Sequence, residues 1–279
     1  MNLNLFIKKY ICNAPHLKKK PEFLFKYYKI EGKDDKGVAC LERIKKILID
    51  SEIYFAKPLE DFNDLFDCKP LYKIIGSNRE NRNFFKKIIK DYRNDLPENQ
   101  LKSASIDFTN NDGNIVYAER ELQNRLEKMI NEYRIFCMSD VPDNILMWAY
   151  YADSHKGICL KFCLQEDRDI FKNTFKVRYE KRYPIFNHVK DNRDKLIRNS
   201  FFIKSFNWHH EGEWRAIYKN NEGVHPYKEG FLNGIIFGAN INSDKKSEIL
   251  SWVNGLNTKP KKYQAKLKKG FYGIDIETD

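Results

Sequence analysis

Short apolar and aromatic runs bounded by turn residues recur along the chain, with longer stretches of helical spacing between them. Residues 23–30 are aromatic-rich, lie between Pro21 and Gly32, and read as the first strand. Leu41, Ile44, Ile47 and Leu48 then fall on one face of a helix. Residues 53–56 form a short second strand that Pro58 stops. Residues 79–95 and 116–132 carry apolar stripes. Phe85, Ile88, Ile89 and Tyr92 make the first, and Leu122, Leu126, Met129 and Ile130 the second. The polar stretch 103–114 joins them, and the pair reads as a helical insertion at about residues 77–132.

The pattern then returns to strands. Residues 134–139 form one that ends in Ser139, and Asp143 or Asn144 caps a helix over 145–152. Residues 157–162 and 175–179 are further strands, and 190–207 a helix. Residues 214–218 and 234–239 are strands, followed by a helix over 243–253 capped by Ser243 or Asp244. Two strands, 262–267 and 271–276, finish the chain. The lysines between Lys259 and Lys269 alternate with Tyr263, Ala265 and Leu267, which predicts an edge strand protected by charge. The expected architecture is a lead-in at 1–22 and a single α+β domain over 23–279. Its central sheet is mixed or antiparallel, with flanking helices.

Composition narrows the function classes. No run of apolar residues approaches a membrane span, and the first ten residues lack the pattern of a signal peptide. The six cysteines include no Cys-x-x-Cys, which fits reduced thiols in a cytoplasmic protein better than a disulfide framework or a zinc site. A net charge of +11 suits anionic partners such as nucleotides or nucleic acid. A chain rich in Lys, Asn and Ile also reflects an AT-rich genome, so charge alone does not indicate DNA binding.

The densest chemistry is at Trp208-His209-His210-Glu211-Gly212-Glu213-Trp214-Arg215. Carboxylates at i and i+2 project from one face of an extended strand, and when close they repel, so that one titrates late and can act as an acid or base. The alternative is an exposed acidic turn before a core strand. Adjacent histidines in a strand point to opposite faces, which argues against a shared metal. Asp61, Asp64 and Asp67 with Glu211 and Glu213 are the acidic residues with which a magnesium-dependent nuclease would work. A third reading is a non-catalytic module that binds a nucleotide or a protein.

Several phrases in order carry a resemblance. They are Phe25-Lys26-Tyr27-Tyr28, Ile53-Tyr54-Phe55-Ala56, Phe62-Asn63-Asp64-Leu65-Phe66-Asp67 and Phe136-Cys137-Met138-Ser139. Met147 to Asp153, His155 to Cys159, Glu211 to Arg215 and Ile236-Phe237-Gly238 follow. Together, over about residues 23–270, they resemble the bacterial and phage-borne family called domain of unknown function 2971, whose name implies no activity.

The order of an aromatic first strand, a strand ending in serine and a Glu-x-Glu opening a later strand also resembles the ADP-ribosyltransferase fold, with its split sheet. That likeness implies NAD as cofactor, a place in a bacterial defence or toxin system, and a protein or nucleic acid as acceptor. By position it implies Glu213 as the catalytic glutamate, Glu211 as its companion toward the acceptor and Ser139 as the pocket serine. Lys26 and Tyr27 stand where the superfamily has Arg or His. Tyr27, Trp148 or Tyr150 would stack on nicotinamide, and Arg215 or a lysine would pair with pyrophosphate. The usual Ser-x-Ser triplet is reduced to Ser139.

Overall fold

A computed structural model describes residues 20–33, 38–219 and 223–279, apart from the side chain of Phe171. The lead-in expected at 1–22, with Cys12, lies almost wholly outside them. In chain order the elements are β1 (Phe23–Tyr28), α1 (Cys40–Ile49), β2 (Glu52–Tyr54), β3 (Leu71–Lys73), α2 (Asn78–Tyr92), α3 (Glu98–Thr109) and α4 (Asp112–Asn131). Then come β4 (Tyr133–Ser139), α5 (Ile145–Tyr151), β5 (Ile158–Cys163), α6 (Arg168–Lys172), β6 (Thr174–Lys176), β7 (Arg178–Glu180) and β8 (Ile185–Asn187). The last are α7 (Arg193–Phe201), β9 (Ile203–Ser205), β10 (Glu213–Lys219), β11 (Val224–Pro226), β12 (Leu232–Phe237), α8 (Ser243–Asn254), β13 (Lys261–Leu267) and β14 (Ile274–Thr278).

The chain divides into two compact units, one within Met1–Lys57, Tyr133–Val177 and Phe206–Asp279, the other Pro58–Glu132 with Arg178–Ser205. The helical segment expected at about 77–132 falls in the second unit, which also takes up residues 178–205. The fold is α+β, as the element pattern predicts. Among the described residues no helix is long and apolar enough to cross a membrane.

The first unit is built on an open, mixed sheet in the order β14-β13-β12-β5-β1-β4-β10-β6. All neighbours are antiparallel except β12 and β13, whose parallel pairing requires a crossover, and α8 supplies it. Side-chain alternation gives the sheet two apolar faces. On one, Leu24, Phe136, Met138, Leu160, Trp214 and Ile235 pack with Ile44, Ile47 and Leu48 of α1 and Ile249 and Val253 of α8. On the other, Tyr27, Cys159, Ile236 and Ala265 pack under Met147 and Trp148 of α5. With both faces covered, β4 is buried along nearly its whole length.

Helix α5 begins at Asn144, whose side-chain oxygen accepts from the amides of Leu146 and Met147. It ends in three residues of positive φ, Asp153, Ser154 and His155. That costly conformation lets the amides of Ser154, His155 and Gly157 bond the carbonyls of Ala149, Trp148 and Ala152, which satisfies the helix end. Gly157 then passes so close to β1 that a Cβ there would meet Tyr28 O at 2.1 Å.

In the second unit, α2 starts from a capping box of Ser77 and Glu80. Phe85 of α2 meets Phe108 of α3, ring centroids 4.5 Å apart. Two short parallel pairs, β3 with β8 and β7 with β9, complete this unit.

Several expectations are corrected. The stretch 103–114 is not a polar joint: residues 98–109 are helix α3. Its buried face includes Ser105 and Thr109, whose hydroxyls bond the carbonyls of Lys102 and Ser105, so polar residues are buried at no cost in unpaired groups. The single strand over 175–179 is two, because β6 joins the large sheet while β7 belongs to the second unit. The helix over 190–207 stops at Phe201 and gives way to β9 and a 3-10 turn over Phe206–Glu211. Asn242, not Ser243 or Asp244, caps α8. Strand β13 is interior, and the edge is β14.

Candidate functional site

Strands β10, β4 and β1 lie side by side, and one register row crosses them: Glu213 pairs with Ser139, and Ser139 with Phe25. Paired residues share a face, so these side chains project together. Two positions further along, Arg215 pairs with Cys137. The serine strand thus lies between the aromatic first strand and the strand that Glu213 opens.

The contact between β1 and β4 is confined to that one pair, whereas β4 and β10 share seven pairs and β1 and β5 six. The sheet therefore parts beside the row. Lys26 reaches into the parting, where its amine donates to Cys137 O at 2.7 Å and lies 4.7 Å from the centroid of the Phe136 ring. Burial drives its pKa below the ordinary lysine value, against the pull of Cys137 and Glu213, which favour the charged form. The Cys137 thiol is pushed well up, by burial first and then by the Glu213 carboxylate.

Glu213 and Arg215, at i and i+2 on β10, point to one side, and both are buried. The guanidinium grips the carboxylate with two bonds, Nε to Oε1 at 2.7 Å and Nη2 to Oε2 at 3.0 Å. Glu211 is elsewhere engaged. It closes the 3-10 turn, and Gly212 at φ +52° reverses the chain before β10 begins. The expectation that both carboxylates project from one strand face is therefore overturned: Glu211 precedes the strand. Its Oε1 accepts from Tyr151 OH at 2.6 Å.

The turn is fastened to the end of β4. Ser139 Oγ donates to Glu211 O at 2.6 Å and accepts from Val141 N at 3.1 Å. Asp140 Oδ2 accepts from Trp214 Nε1 at 3.0 Å and from Lys176 Nζ at 2.8 Å. A Cβ on Gly212 would sit 2.3 Å from Asp140 Oδ1, so glycine is needed here for space as well as for its positive φ. Asn144 Nδ2 donates to His210 O at 3.1 Å, tying the turn to α5. His209 stacks on Phe206 at 4.6 Å, nearly at right angles to His210.

The aromatic candidates divide. Tyr27 donates to Val141 O at 2.6 Å and meets Trp148 edge to face at 5.2 Å. Trp148 is fully buried and donates to Pro142 O, so it has no open face on which a ligand could stack. Tyr150 is exposed. Sequence reasoning passed over Asp140 and Tyr151. Asp140 reads as an ordinary turn residue, while Tyr151 is within the Met147 to Asp153 phrase. The acidic residues assigned to a nuclease lie in different units, Asp61, Asp64 and Asp67 in the second and Glu211 and Glu213 in the first. Among the described residues no cluster of three or more His, Cys, Asp or Glu is placed to hold a metal.

Residues 147–216 match the family described as Protein of unknown function (DUF2971). The family likeness read from the ordered phrases is thus shown over that stretch. The DUF2971 match runs from α5 into β10 and takes in Trp148, Tyr150, Tyr151, Glu211, Glu213 and Arg215, while β1 and Ser139 lie outside it. No curated protein and no solved structure matches the chain.

Proposed function

We propose that the protein is an ADP-ribosyltransferase-like enzyme with NAD as donor. The observation that carries this reading is the row Phe25–Ser139–Glu213, on three adjacent strands of a sheet that parts beside it. The residues present suit that donor in one respect: Glu213 is a carboxylate fixed in position by Arg215. Lys26, paired with Leu160 on the face that packs against α1, has its amine buried against Cys137 O and Phe136 and is not placed to meet the pyrophosphate.

The chemistry breaks the bond between ribose carbon and nicotinamide nitrogen. The electron pair leaves with nicotinamide, and an acceptor oxygen or nitrogen bonds to the same carbon as it releases its proton. Positive charge grows on the sugar, and a carboxylate held beside it lowers the barrier. Glu213 has that role and Arg215 orients it. Glu211, held by Tyr151, is its companion on the acceptor side, and Ser139 fastens the turn that ends in Glu211, just ahead of Glu213.

The test is incubation of the protein with NAD labelled on its adenylate, with and without a cell extract. Wild type is expected to transfer label and release nicotinamide, and Glu213→Gln, whose amide oxygen can still accept from Arg215, to do neither at a temperature where its circular dichroism matches wild type. Equal transfer by the two proteins would sink the proposal. A rise in thermal stability with NAD, without any turnover, would favour a binding module instead.

A further inference from the structure

The row that carries Glu213 does not end at Phe25. Phe25 pairs with Lys161 of β5, Lys161 with Gly234 of β12, and Gly234 with Lys261 of β13. One face of the sheet thus carries, in line, the acidic site and then two lysines. The Lys161 amine lies 3.8 Å from the centroid of the Phe23 ring and 5.5 Å from that of Tyr263. Phe23, Phe25 and Tyr263 are half-buried, Phe25 and Tyr263 by packing one side against the core under α5, and Lys261 is exposed. A Cβ on Gly234 would meet the Tyr263 ring at 2.9 Å, so the ring lies over bare backbone.

The electrostatics of this patch are one-sided. Among the described residues no carboxylate pairs with Lys161 or Lys261. Two rings hold the Lys161 cation in place, yet they leave its N–H donors free for an anion. Rings alternating with lysines on a sheet face make a platform on which unstacked bases lie while phosphates meet the amines. A duplex keeps its bases stacked, so a single strand suits this surface. The net charge of +11 favours the same partner.

We propose that this face binds single-stranded nucleic acid, and that such a strand is the acceptor of the group transfer. The second half rests on the transferase reading; the first does not. From Glu213 to Lys161 there are three strand spacings, about 14 Å, which a strand a few nucleotides long can span.

Fluorescence anisotropy with a labelled oligothymidine of roughly twelve nucleotides tests the binding. The full chain is expected to bind, more weakly as salt rises. Lys161→Met and Lys261→Met, which keep the aliphatic stems, are each expected to weaken binding roughly fivefold or more. Lys45→Met removes an equal charge from α1, which packs on the opposite face, and is expected to change it little. An abasic strand of the same length is expected to bind roughly tenfold more weakly. No binding by folded wild type, an equal loss from Lys45→Met, or equal binding of the abasic strand would each overturn the proposal. If the oligonucleotide binds as described but NAD is never consumed, the transferase reading falls and the binding face stands. If label from NAD goes to protein and never to the oligonucleotide, the acceptor assignment falls.

Discussion

Replacing Glu213 with leucine would leave the Arg215 guanidinium, which has no exposed surface, without its forked carboxylate partner. Removing one member of a buried ion pair costs about 3–5 kcal/mol, because the remaining charge stays out of water uncompensated. At a urea slope of ~2 kcal/mol per molar, a loss of ~4 kcal/mol moves the unfolding midpoint down by ~2 M. Arg215→Met is expected to cost a similar amount for the mirror-image reason. The double variant, Glu213→Leu with Arg215→Met, puts two apolar side chains of similar volume in the same space. It should recover at least ~2 kcal/mol relative to the sum of the single losses. Tryptophan fluorescence is well suited as the readout, because Trp148, Trp208, Trp214 and Trp252 all belong to the first unit. If Glu213→Leu costs less than ~1 kcal/mol, or the double variant loses the full sum, the pair is not a closed buried couple and the reasoning fails.

Gly212→Ala combines a positive φ with a clash against Asp140 and is expected to destabilise the first unit by ~1–3 kcal/mol, read by the same urea titration. An unchanged midpoint would show that the turn between the glutamates is adjustable. The pH dependence of stability has a definite sign. His155 is held below the ordinary histidine value by burial, and His188 by burial with Lys87 adding to it. The unfolded chain therefore takes up these protons first as pH falls. Stability should be full above a pH of about 6.5 and decline as pH drops below it. Substituting both histidines with glutamine should flatten that decline in thermal melts across the range, and an unaltered slope would remove them as its source.

The pattern of the chain made much of the fold legible. Short apolar runs between turn residues marked β1, β4, β5, β10 and β12, helical spacing marked α1, α2, α4 and α8, and capping residues were read at α5 and α8. Failures came where local chemistry was ambiguous. Helix α3 hides because Ser105 and Thr109 satisfy their own hydroxyls within it. The run over 175–179 is periodic throughout, and nothing in its residues says that Val177 ends one unit and Arg178 begins another.

The site divides in the same way. The residue types and spacing of Glu211, Gly212, Glu213 and Arg215, and the serine that ends residues 134–139, are properties of the sequence alone, since they follow from what each short stretch contains. Which strands become neighbours is not. Alternation tells which side chains share a face of one strand, but hydrogen bonding between strands remote in sequence selects the partner. Only the folded chain aligned Glu213, Ser139 and Phe25, shifted Glu211 off the strand through Gly212, and closed Trp148 into the core.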